Sequence, residues 1–123
     1  MRDIRVLVVD DQEVYRSALS GLLEVVGGYV VVAQTENGER AAELARHTQV
    51  DLVFMDLRLP GIDGVAATRL IRGIHPAPEV ILISTDVDAL RTAEADRSGA
   101  RAAVAKADLD PLWLERLRAE LSR

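Results

Sequence analysis

The residues of this chain that could do chemistry stand at the ends of apolar runs. "VLVVDDQ" ends in Asp10 and Asp11, "LVFMD" in Asp56, "VILIS" in Ser84 with Thr85 beside it, and "AAVAK" in Lys106. Two carboxylates about 4 Å apart repel by roughly 4 kcal/mol at an effective dielectric of about 20, so acids gathered at one place need a cation. With oxygen ligands only, and no His or Cys nearby, the fitting ion is hard and divalent. Mg2+, which keeps several waters and takes few protein ligands, suits the set.

Each residue also has a plainer role. Asp10 or Asp11 alone is a good N-cap for a helix beginning near Gln12. Asp56 alone could be the entry to the turn "LRLPGIDG", Ser84 a cap for the helix after it, and Lys106 a solvated surface charge. Their coincidence favours a site, because all four fall at the same kind of position. His47 and His75 lie near helix ends without partner ligands, so helix-dipole or solvated roles suit them better than metal binding. Asn37-Gly38 reads as a turn with a cap, and neither common Gly-rich phosphate loop occurs.

The elements that must position these residues are legible as an alternation. Apolar runs over Ile4 to Val9, Tyr29 to Ala33, Leu52 to Met55, Val80 to Ile83 and Ala102 to Ala105 alternate with segments of helical period. Those segments carry Tyr15, Leu19, Leu22 and Val26, then Ala41, Leu44 and Ala45, then Val65, Leu70 and Ile71, and finally Leu114, Leu117 and Leu121. Gly27-Gly28, Asn37-Gly38, Pro60-Gly61, Pro76 with Pro78, Gly99 and Pro111 punctuate them. Five β–α units whose strands are apolar on both faces predict an α/β domain: an open, doubly wound parallel sheet of five strands with five helices. In such sheets ligands sit outside the carboxyl ends of the strands, where the acids, the hydroxyls and the lysine fall.

Length and composition narrow the classes. A chain of 123 residues, 49% hydrophobic and 28% charged, predicts one domain filling residues 1–123. A net charge of −5 argues against a nucleic-acid surface spread over the domain, so any DNA contact belongs to a separate domain. There is no cysteine, no signal-peptide pattern and no apolar stretch of membrane-spanning length, which together lead to a cytoplasmic expectation with no membrane partner.

The set "VLVVDDQ", "DLVFMDLRLPGIDG", "VILIST" and "GARAAVAK" resembles the receiver domain of bacterial two-component response regulators, and does so over essentially the whole chain. "MDLRLPGIDGVAATRLIR" and "DDQEVYRSALSGLLE" are most similar to receivers of the LuxR/NarL type, whose full-length members usually add a helix-turn-helix DNA-binding domain. The resemblance implies a flavodoxin-like strand order of 2-1-3-4-5. It implies Asp56 as phosphoacceptor, taking a phosphoryl group from a sensor histidine kinase. It implies Mg2+ held by Asp11, Asp56 and the backbone carbonyl of Arg58, with Asp10 acting through a metal-bound water. Ser84 would bond a phosphoryl oxygen, and Lys106 would pair with Asp56 before phosphorylation and with the phosphoryl group after it. The resulting expectation is a conformational switch regulating an output, transcription, and not a turnover enzyme.

Three positions depart from the family pattern. Thr85 stands where a small Ala is usual, Ala103 where strand 5 usually carries an aromatic switch residue or His, and Ala107 where Pro often follows the lysine. Ala103 motivates an alternative, a receiver-like interaction module that works without phosphorylation. A Mg2+-dependent phosphatase is disfavoured, because Leu57-Arg58 follows Asp56 with no second acid two residues on to protonate a leaving group. Three further expectations follow. Arg58 and Asp86 form an ion pair over the site. The helix within Thr85 to Gly99, "DALRTAEADRS", is weakly held because it offers only Leu90 and small alanines to the sheet. Tyr15, Leu22, Leu112, Trp113 and Leu121 give the first and last helices a surplus of apolar side chains, suited equally to a symmetric homodimer or to core packing alone.

Overall fold

A computed structural model describes residues 2–122. Five parallel strands, β1 (Ile4–Val9), β2 (Tyr29–Thr35), β3 (Leu52–Asp56), β4 (Glu79–Ser84) and β5 (Ala102–Ala105), form one sheet in the order β2-β1-β3-β4-β5. This is the doubly wound, flavodoxin-like arrangement. Because successive side chains on a strand point to opposite faces, each buried strand feeds two cores. Val6, Val8, Phe54, Ile81 and Ile83 pack on one side beneath α1 (Glu13–Val26) and α6 (Pro111–Leu121). Leu7, Val9, Val53, Met55, Val80 and Leu82 pack on the other beneath α2 (Gly38–His47), α3 (Gly64–Arg72), α4 (Val87–Leu90) and α5 (Ala93–Asp96).

The helix count differs from the five expected. The described residues form six α-helices and a 3-10 turn over Lys106–Asp108, because the segment before β5 is broken into α4 and α5. Thr92 stands at the break. Its backbone is extended at φ −88 and ψ 158, and its side chain accepts from the Ala95 N–H, so it begins a new helix where one helix would have continued.

Caps set most of the other helix starts. Asn37, Asp63, Asp86 and Asp110 each accept from the N–H three residues on. α1 starts differently: Gln12 occupies its N-cap without a side-chain bond, so neither Asp10 nor Asp11 caps it.

The surplus of apolar side chains on α1 and α6 is largely used internally. Tyr15, Leu22, Trp113 and Leu121 pack against the core, and of the five residues expected at a dimer face only Leu112 is strongly exposed. The large apolar side chains that do face outward on α1 are Val14 and Val25.

Candidate functional site

Strand register brings the chemistry together. Val9 is level with Met55, Asp56 with Ile83 and Ser84 with Ala105, so the residues that end β1, β3, β4 and β5 meet at one edge of the sheet. Asp10, Asp56 and Ser84 are buried there, and Asp11 is exposed. Carboxylate oxygens of Asp10, Asp11 and Asp56 lie within 4.8 Å of one another, an oxygen-only donor set that could hold a hard cation.

Three of these residues are fixed in the same local way. The Gln12 N–H donates to Asp10 Oδ1 at 2.9 Å, the Arg58 N–H to Asp56 Oδ1 at 3.3 Å and the Asp86 N–H to Ser84 Oγ at 3.0 Å. Each strand thus turns over its own last polar side chain, so the turn-forming role and the site role coexist in the same residues. Gly64 completes the frame around Asp56. Its N–H donates to the Leu57 carbonyl, and a Cβ there would stand 2.2 Å from the Asp56 carbonyl oxygen, so any other residue would push the strand end away.

Lys106 supplies the positive charge; the expected pair with Asp56 is present, and a shorter one with Asp10 stands beside it. Its Nζ lies 2.6 Å from Asp10 Oδ2 and 3.6 Å from Asp56 Oδ2, so the tighter ion pair is with Asp10. Asp10 is completely buried, and a carboxylate with no access to water has most need of the ammonium. Asp56 is left under-neutralised. Burial, and then the Asp10 carboxylate, push its pKa from 3.8 up to about 6, against the lowering effects of Lys106 and the Arg58 N–H.

At the rim, Arg58 Nη2 donates to Asp86 Oδ2, the expected pair across the β3 and β4 loops. Asp86 also caps α4 through the Ala89 N–H, which links the pair to that helix. Thr85 is exposed. Ala103 is also exposed, on a groove of about 450 Å3 lined by Val87, Leu90, Arg91 and Trp113 among others. Lys106 and Ala107 are joined by a trans peptide.

Tyr15 and Arg16 were not legible as site residues. The Tyr15 ring centroid is 4.2 Å from Lys106 Nζ, and Arg16 Nη1 donates to the Asp10 carbonyl at 2.6 Å. Burial, and then the charges of Asp10 and Asp56, push the Tyr15 phenol up to about 12. The available signal was position, since Tyr15 lies in the first turn of α1, which starts directly after the acids that end β1.

Comparison with known proteins agrees with this geometry. Residues 6–118 match the family model described as the response regulator receiver domain. The transcriptional regulatory protein LnrK of Bacillus subtilis is 36% identical over 97 residues, which are 79% of this chain and 44% of that protein. The response regulator GacA of Pseudomonas viridiflava is 40% identical over 81 residues, 66% of this chain and 38% of that protein. The chain therefore spans less than half the length of these two relatives. Among solved structures, a LuxR-family two-component response regulator from Aurantimonas sp. is 35% identical with a TM-score of 0.82, covering 98% of this chain and 86% of that one. The response regulator domain of Thermotoga maritima CheB is 33% identical with a TM-score of 0.76, covering 98% and 91%. With acids, hydroxyl and lysine gathered at the carboxyl edge of a 2-1-3-4-5 sheet, and with that match over nearly its whole length, the chain belongs to the response regulator receiver domain family of two-component signalling.

Proposed function

We propose that Asp56 is the phosphoacceptor of this receiver and that a sensor histidine kinase supplies the phosphoryl group. One observation carries the reading: a buried carboxylate lies beside two further acids and within 3.6 Å of a single ammonium. In the transfer an Asp56 oxygen attacks phosphorus, the bond from phosphorus to the donor imidazole breaks, and an acyl phosphate results. Such transfer depends on positioning and charge neutralisation more than on covalent assistance.

The donor set fits Mg2+, because three carboxylates with oxygen ligands alone gather around one point. Asp11 and Asp56 would hold the ion directly with the Arg58 carbonyl, and Asp10 would act through a bound water. When bound, Mg2+ neutralises the phosphoryl oxygens and the attacking carboxylate. Lys106 is held by Asp10 and can pass its charge to a phosphoryl oxygen, while Ser84 offers its hydroxyl to another. The Arg58 N–H keeps Asp56 oriented, and the Arg58–Asp86 pair limits entry of water over the site.

The domain proposed covers residues 1–123 and catalyses no turnover of other substrates. Its proposed output is transcription, carried by a DNA-binding domain separate from these residues. The support is the transcriptional role in the name of LnrK, the match to under half of its length, and the net charge of −5. No helix among the described residues is long and apolar enough to cross a membrane, and the compartment proposed is the cytoplasm. A homodimer is proposed through Val14 and Val25, eleven residues apart and so nearly on one face of α1, together with Leu112. Sedimentation with and without beryllofluoride checks it, and a monomer in both states counts against it.

Incubation with Mg2+ and acetyl phosphate followed by mass spectrometry tests the central reading. A mass gain that is lost in Asp56→Asn and in excess EDTA is expected. Labelling of Asp56→Asn as strong as wild type would overturn the assignment. No mass gain favours a phosphorylation-independent interaction module, which the exposed Ala103 would suit, and continuous hydrolysis favours a phosphatase.

A further inference from the structure

We propose that Tyr15 is a positioning residue for Lys106, its ring forming a wall of the slot that aims the ammonium at the phosphoryl site; the inference rests on Asp56 being the phosphoacceptor. The Lys106 side chain is only 12% exposed, and its Nζ is bounded by Asp10 Oδ2, Asp56 Oδ2 and the Tyr15 ring face. A free lysine has four side-chain torsions and strong hydration, so something must keep it from turning outward when its partner changes.

An aromatic face suits that task better than an acid would. It attracts a cation through its quadrupole but makes no directional hydrogen bond that a phosphoryl oxygen would have to break. The ammonium can then move from Asp10 toward a group on Asp56 while staying on the ring. A carboxylate at position 15 would hold Lys106 back and add a fourth negative charge to the three acids. The phenol adds none, because it stays neutral up to about pH 12.

The placement is built into the start of α1. Arg16, the next residue, ties this turn to the Asp10 carbonyl at 2.6 Å, and the Tyr15 side chain packs against the core beneath α1 and α6. Tyr15 therefore has little freedom to leave the lysine.

Two readouts test the inference. The first is the ring-current shift of the Lys106 Hε protons, expected upfield in wild type and Tyr15→Phe and lost in the ring-free Tyr15→Leu and Tyr15→Met. The second is the rate of phosphoryl uptake from acetyl phosphate at saturating Mg2+. Removing the ring should slow uptake by about fivefold, the size expected of one partly buried cation–π contact. The Mg2+ concentration for half-saturation should stay the same, Tyr15→Phe should restore the rate to within about twofold, and in a Lys106→Ala background loss of the ring should have no further effect. Wild-type rates in both ring-free variants, a Tyr15→Phe variant as slow as they are, or slowing that persists without Lys106 would each overturn the role of Tyr15 and leave Asp56 as acceptor intact. A wild-type chain that takes up no phosphoryl group would overturn the Asp56 reading, and this inference with it.

Discussion

Two crossings cover the same face of the sheet and are held very differently. α3 buries Gly64, Val65, Ala67, Thr68 and Ile71 within its nine residues, is capped by Asp63, and touches the backbone of Asp56 through Gly64. The stretch from Thr85 to Gly99 is two four-residue helices, burying Leu90 in α4, Ala95 in α5 and Ser98 just after them. The first crossing fixes the proposed acceptor, and the second follows directly from the Ser84 hydroxyl. A switch needs an element with two arrangements of similar free energy, and few buried contacts make one affordable. With Ala103 there is no aromatic rotamer on β5 to couple to Ser84. The α4–α5 stretch is the element expected to respond.

The largest test of this contrast is a pair of truncations. Ile71→Ala should destabilise the domain by about 2–5 kcal/mol, whereas Leu90→Ala should fall at or below the lower end of that range, because two short helices can settle into the gap. Urea unfolding of both variants checks it, and equal losses would remove the distinction between the crossings. Hydrogen exchange with and without Mg2+ and beryllofluoride sharpens it further. The largest change in protection is expected between Thr85 and Gly99. Unchanged protection there, with α1 and α6 responding instead, would route output through the α1–α6 face.

A third measurement addresses the fixed side. The pKa of Asp56 is raised to about 6 from 3.8, so between these values the folded protein holds a proton that the unfolded chain has lost. Its contribution to stability is complete below about pH 3.8 and is lost as pH rises through about 6. In EDTA, Asp56→Asn should therefore melt a few degrees above wild type at pH 7, with the gap closing toward pH 4. A variant that melts lower than wild type at pH 7 would place the strain elsewhere.

The smallest effect on stability is expected where the two regions touch. Arg58 and Asp86 have side chains 72% and 39% exposed, so their pair contributes about 0–1 kcal/mol. Arg58→Ala should change the rate at which the phosphorylated domain loses its phosphoryl group while barely shifting Tm. Identical decay rates would show that the pair does not limit water entry.

Much of this is legible in the sequence. The five runs, the acids at the ends of β1 and β3, the hydroxyl after β4 and the lysine after β5 are local signals, each readable from apolar run and terminal residue. The Arg58–Asp86 pair was legible too, because both residues sit two past a strand end on neighbouring loops. Less legible was the split of the helix before β5, since Thr92 serves equally well as an interior residue or a cap until tertiary packing chooses. The apolar surplus on α1 and α6 left dimer face and core packing open for a similar reason. Periodicity counts apolar side chains, but only packing decides whether Tyr15, Leu22, Trp113 and Leu121 turn inward.

By itself, then, the sequence determined which groups stand at the carboxyl edge of the sheet, because strand ends follow from patterns a few residues long. The tertiary structure decided how those groups are paired. Lys106 lies 96 residues from Asp10, and nothing local distinguishes Asp10 from Asp56 as its tighter partner. That choice follows from depth. The sheet order brings the ends of β1, β3 and β5 to one edge, where the fully buried Asp10 lies 2.6 Å from the ammonium, and α1 lays the Tyr15 ring 4.2 Å from that ammonium. Charge pairing in a poorly solvated site depends on distances and burial that only the assembled sheet and helices define.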